Sequence, residues 1–92
     1  MKSMQKRDRK LVFDQKGIEA FAYQLKTIRI REGYTQSQLA FETGLSLSQI
    51  ARIETARINP TLSTVFTLAR TLDIPLKELF DFELPQPSDS II

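Results

Sequence analysis

Between Thr35 and Glu54 the chain carries two helix starts and one helix stop, and this stretch constrains its fold more than any other feature. Thr35 and Ser46 each precede an apolar-periodic run, where a side-chain hydroxyl can satisfy a free backbone N–H at a helix start. Gly44 lies where the first of these helices must end, since a helix C-terminus often needs a left-handed residue and glycine adopts it without a Cβ clash. Ala40, four residues earlier, is small where two crossing helices must approach closely. Ile50 and Ile53 supply the buried seam of the second helix. A small residue, a glycine and two later apolar residues at these spacings describe a helix-turn-helix.

The rest of the chain also reads as helix. A first helix is expected from about Ile18 to Arg31, with Ile18, Phe21, Ala22, Leu25 and Ile28 at helical spacing and Gly33 as its stop. The second and third are expected over 36–43 and 47–55. Residues 56–60 form a loop, because Pro60 pushes Asn59 out of helical geometry. Thr61 caps a fourth helix with an inner face of Leu62, Val65, Phe66, Ala69 and Leu72. Pro75 fits the first turn of a fifth, where Leu76, Leu79 and Phe80 close the core. No strand pattern competes. The expected fold is all-α, five short helices over residues 17–82, between an arm (1–16) and a loose tail (83–92) that begins to read as coil at Pro85 and Pro87.

Ninety-two residues make one small domain. The chain has no cysteine and no histidine. Disulfides and thiolate metal sites are therefore excluded, and the commonest general base and metal ligand are missing. No convergent cluster of other catalytic groups is visible, so neither an enzyme nor a cofactor or metal site is expected. With no membrane-length apolar run and no signal-peptide pattern, a cytoplasmic protein is expected. The formal net charge of +2 decides little, but its distribution is uneven. Residues 1–10 carry Lys2, Lys6, Arg7, Arg9 and Lys10 against Asp8, a net of +4. Residues 73–92 carry Asp73, Glu78, Asp81, Glu83 and Asp89 against Lys77, a net of −4. A basic front and an acidic end suit a molecule that turns one side to phosphate, and equally two solvated termini.

The stretch from Thr35 to Glu54 resembles the helix-turn-helix of the Cro/Xre-type, phage-repressor-like family. The resemblance extends upstream through Leu25 to Tyr34, similar to the family's first helix and its glycine stop. Downstream, Asn59-Pro60-Thr61-Leu62, the run Leu68 to Ile74 and the run Leu76 to Phe80 look like its last two helices. It covers roughly residues 18–82 without a gap. It implies a lambda-repressor-like domain of bacterial or phage origin that binds double-stranded DNA and regulates transcription, more as a repressor than an activator, with helix 3 in the major groove. By spacing, Arg29 falls on the apolar face of helix 1, and Glu54 follows Ile50 by four. The resemblance implies that these two form a partly buried, bidentate salt bridge.

A helix fits the major groove, where each base pair shows a distinct set of donors and acceptors. On helix 3, only side chains away from Ile50 and Ile53 reach base edges: Leu47, Ser48, Gln49 and Arg52, with Ala51 beside them. Carried over from the family, the base-contacting places fall at Leu47, Ser48 and Arg52, with Gln49 close by. Arg52 suits a bidentate contact to guanine, or a phosphate clamp; Gln49 suits adenine, or a phosphate. Leu47 suits a thymine methyl or a sugar, and Ser48 bonds to almost any base. Phosphate contacts are expected at Gln36, opening helix 2, and at Arg57, Asn59 and Thr61 after helix 3. The arm from Lys6 to Lys10 suits a minor groove or simple solvation.

Two features depart from the family pattern. The base-reading face is poor in long polar residues, with Leu47 and Ala51 on it, which leaves part of the selectivity to DNA shape. Ala56 stands where glycine is usual. If the backbone is left-handed there, alanine costs roughly 1 kcal/mol; if not, the loop carrying Arg57 and Asn59 differs. A single short recognition helix buries little DNA, so a homodimer on a near-palindrome is expected. Its expected surface is helix 5 with Phe80, Phe82 and Leu84, joined by Leu11, Val12 and Phe13. The second reading is the antitoxin of a toxin–antitoxin pair, binding DNA and also a protein partner through an arm or tail.

Overall fold

The computed structural model describes residues 12–86. Five helices follow one another: α1 (Gln15–Arg31), α2 (Gln36–Thr43), α3 (Leu47–Glu54), α4 (Leu62–Leu72) and α5 (Leu76–Leu79). Among the described residues there is no strand. No helix there is long and apolar enough to cross a membrane.

Helix α1 begins three residues earlier than the periodicity predicts. Asp14 caps it, its Oδ1 accepting the Gly17 N–H at 3.0 Å. Gly17 permits this, since a Cβ at that position would stand 2.8 Å from Asp14 Oδ2. The glycine that read as chain outside the helix is therefore part of its first turn. The expected arm 1–16 is shortened to end at Asp14, and Leu11 and the basic run Lys6 to Lys10 lie outside the described residues. Val12 and Phe13 are exposed, 88% and 44%, so they do not dock on the core.

The next three helices start as their hydroxyls predict. Thr35, Ser46 and Thr61 accept N–H bonds from Gln38, Gln49 and Thr64. At Thr35 and Ser46 the glutamine side chain also reaches back to the cap's own N–H, closing a capping box. Four left-handed residues end the helices: Gly33, Gly44, Ala56 and Asp73. At Ala56 the N–H of Arg57 reaches Arg52 O at 2.8 Å and that of Ala56 reaches Ile53 O at 3.1 Å. These paired bonds form a Schellman motif, whose fifth residue, here Ala56, needs a positive φ whatever its side chain. The loop thus keeps the conformation that the usual glycine would give it, with alanine at φ 59°.

The core gathers Leu25 and Ile28 of α1, Leu39 of α2, Ile50 and Ile53 of α3, Leu68 and Leu72 of α4 and Leu79 of α5, all fully buried. The inner face of α4 is Val65, Leu68, Ala69 and Leu72, not the expected set. Leu62 and Phe66 point outward, 68% and 38% exposed. At 100° per residue the buried four share one stripe, and Leu62 and Phe66 fall just past one edge of it, about 70° and about 110° from its centre. In α5 only Leu79 enters the core, because four residues make barely one turn. Phe80 instead lies against Phe21, ring centroids 5.5 Å apart. Gln24 Nε2 donates to the Glu78 carbonyl at 2.8 Å, and Arg31 Nη1 meets Glu78 Oε2 at 2.8 Å, fastening α5 to α1.

The polar exception in the core is Arg29 with Glu54, 8% and 9% exposed. Their bidentate pairing agrees with the expectation from resemblance. No buried side-chain polar atom among the described residues lacks a partner.

Candidate nucleic-acid interface

Helix α3 buries Ile50, Ile53 and Glu54. Its opposite side therefore carries Ser48, Arg52 and Thr55, with Leu47 on one flank and Gln49 on the other. Arg52 and Ser48 are exposed, and Leu47 is 49% exposed. Arg52 forms no ion pair among the described residues, so its planar five-donor fork is free for an external acceptor. The helix that carries it is held at both ends. Ser46 and Gln49 close the capping box at the start, and the Schellman bonds and the Arg29–Glu54 pair fix the end.

Gln49 is less available than its place on the helix suggests. Its Oε1 accepts the Ser46 N–H at 3.1 Å while its own N–H donates to Ser46 Oγ at 3.0 Å. Reading adenine through both amide atoms would require breaking the cap.

Gln36 is also committed in part. Its Nε2 donates to Glu54 Oε1 at 2.9 Å, the same oxygen that accepts from Arg29 Nη2 at 3.0 Å. Arg29 Nη1 adds a bond of 2.8 Å to the Tyr34 carbonyl, one residue before the cap of α2. One buried ion pair thus joins α1, the loop before α2, the start of α2 and the end of α3. A second Nε2 hydrogen of Gln36 remains, together with the first backbone N–H groups of α2, which have no acceptor one turn earlier.

Arg57 and Asn59 are exposed on the loop after α3. Ala56 keeps the left-handed turn that precedes them. Thr61 does not offer a free donor: its hydroxyl accepts the Thr64 N–H at 3.1 Å and donates to Thr64 Oγ1 at 3.1 Å. It is a helix cap, and a phosphate bond from that hydroxyl would compete with the Thr64 contact. Overlooked in the sequence is the capping role of Gln38 and Gln49, which close the two boxes. Their signal was present as Thr35-x-x-Gln38 and Ser46-x-x-Gln49.

Comparison with known proteins follows the same outline. The helix-turn-helix family matches residues 25–79. The fold is similar to the restriction-modification controller protein C.AhdI of Aeromonas hydrophila, with 35% identity and a TM-score of 0.67, over 68% of this chain and 96% of that one. It is similar to a hypothetical transcription factor, NHTF, from Neisseria, at 25% identity and a TM-score of 0.67, over 92% of each chain. In sequence it is 38% identical over 60 residues to the HTH-type transcriptional regulator SlrR of Bacillus subtilis, covering 64% of this chain. The match spans only 40% of SlrR.

Proposed function

The chain belongs to the Cro/Xre-type helix-turn-helix family of transcriptional regulators, and from that premise we propose that it is a sequence-specific double-stranded DNA-binding repressor acting as a homodimer. The observation that carries this reading is Arg52, exposed and without an ion pair among the described residues on the outward side of α3 beside Ser48, on a helix braced at both ends. A rigid helix with one free guanidinium suits bidentate readout of guanine in the major groove. Ser48 and Leu47 add a hydrogen bond and a methyl contact. Gln36, Arg57 and Asn59 flank the helix as phosphate contacts that set its register.

For the dimer, the exposures favour a surface centred on Leu62, Phe66, Leu76, Phe80 and Leu84. Phe82, expected there, packs half-buried against its own core instead. The names of the similar proteins, controllers and transcriptional regulators, favour this reading over an antitoxin with a protein partner. The restriction-modification controller protein C.AhdI among them supports a second reading, control of a restriction-modification system.

The test is fluorescence anisotropy with duplexes from the gene's upstream region and scrambled controls, across a salt series, with sedimentation for the oligomeric state. Preference for the upstream duplex supports the repressor. Equal, steeply salt-dependent binding to both duplexes reduces the reading to phosphate contact.

A further inference from the structure

Gln49 carries an asymmetry that its residue type does not have. A glutamine amide holds one acceptor and one two-hydrogen donor, and reads adenine by using both. Here the acceptor faces the Ser46 N–H at 3.1 Å. A backbone N–H can be met only by an oxygen, so the chemistry fixes which way the amide points. The Nε2 group is left with no hydrogen bond to any described residue, on a half-buried side chain at the N-terminal end of α3. That is the end of a recognition helix that approaches base edges.

We propose that Gln49 is a specificity-determining residue that reads DNA as a donor only, selecting base edges that present acceptors in the major groove. Guanine offers N7 and O6 side by side, and thymine offers O4. Adenine sets its N6 amino group beside N7, where a second donor is unwelcome, and cytosine presents only a donor. With Arg52 also purely a donor, the groove face of α3 has two long donors and no long acceptor. The half-site it fits is therefore rich in guanine and thymine on the contacted strand. The inference rests on the proposed function and deepens it, since it names the class of site.

The experiment is selection from duplexes randomised across one half-site, with the wild-type protein, Arg52→Ala and Gln49→Glu. Glutamate keeps the capping box, because its carboxylate also accepts the Ser46 N–H and suits a helix start, so the fold is retained and a melting curve verifies this. The wild type is expected to prefer guanine or thymine at one position by about fivefold, the scale of a single neutral hydrogen bond. Gln49→Glu is expected to lose that preference and turn to cytosine there. The position that Arg52→Ala relaxes should be unchanged by it. Adenine preferred over guanine at the Gln49 position would overturn the inference, because a donor-only side chain gains nothing from the adenine N6 amino group and meets two acceptors on guanine. So would a uniform loss in Gln49→Glu with preferences intact, which is charge repulsion from phosphate. A preference confined to the Arg52 position overturns the inference alone. No preference at any position overturns the sequence-reading function as well.

Discussion

Arg29 and Glu54 meet across the α1–α3 contact through two hydrogen bonds, Nε to Oε2 at 2.6 Å and Nη2 to Oε1 at 3.0 Å. Their side chains are 10% and 2% exposed, so each charge is stabilised mainly by the other. Glu54→Ala leaves Arg29 buried and uncompensated, and a loss of about 3–5 kcal/mol is expected in urea unfolding. Replacing both, as Arg29→Met with Glu54→Leu, should recover most of it, since an apolar pair avoids desolvating two charges. A loss under about 1 kcal/mol for Glu54→Ala would mean that the pair behaves like a surface contact.

Ala56 should tolerate a change that other buried alanines do not. Its φ of 59° costs an L-residue about 1–2 kcal/mol, which Ala56→Gly relieves. Against this stand a buried methyl worth about 0.8 kcal/mol and the greater freedom of glycine in the unfolded chain. The two sides nearly cancel, so a net change below about 1 kcal/mol is expected. Ala40→Gly, inside α2, loses both helix propensity and a buried methyl, about 2 kcal/mol together. Paired thermal melts check the contrast, and equal losses at the two sites would contradict the left-handed strain.

Tyr34 links this small fold to pH. Its hydroxyl lies 3.2 Å from the Thr71 carbonyl and 3.3 Å from Glu42 Oε1. Desolvation first, and then the Glu42 carboxylate, push its pKa above the ordinary tyrosine value of 10. A raised folded-state pKa means that the native state holds the proton more tightly than the unfolded chain does. The stabilisation is thus complete below pH 10 and is lost as the pH rises through the folded value. Unfolding midpoints measured from pH 9 upward should fall, and Tyr34→Phe should flatten that fall. An unchanged alkaline profile in the variant would exclude Tyr34 as its source.

The helices and their caps were legible in the sequence because each depends on neighbours in the chain. Thr35, Ser46 and Thr61 announce the starts of α2, α3 and α4, and Gly33 and Gly44 the ends of α1 and α2. What failed depends on small rotations or on partners far away. Leu62 and Phe66 share the apolar character of α4 but sit at the edge of its stripe, and only packing reveals which edge is wet. The same limit applies to the site. Helix spacing puts Gln49 on the flank of the outward side of α3 and Gln36 at the start of α2, yet it cannot say that Glu54, eighteen residues on, takes one hydrogen of the Gln36 amide. Nor does it show that Ser46 holds the oxygen of Gln49.

Arg52 and Arg57 carry the same charge, and their environments assign them different effects. Arg52 stands on the outward side of α3, where a fork of donors meets a base edge. Arg57 follows the left-handed Ala56 on the exposed loop after the helix, where the proposed function makes it a phosphate contact. Arg52→Ala is therefore expected to weaken binding to the preferred duplex by about 1–3 kcal/mol while leaving scrambled duplexes less affected. Arg57→Ala should weaken both alike and reduce the slope of log K against log salt by about one. Neither side chain forms an ion pair among the described residues, so neither change should lower the melting temperature appreciably. Anisotropy titrations at several salt concentrations distinguish the two patterns. If Arg52→Ala lowers affinity uniformly and shifts the salt slope as Arg57→Ala does, both arginines are phosphate clamps, and sequence preference must come from Gln49, Ser48, Leu47 and the shape of the DNA.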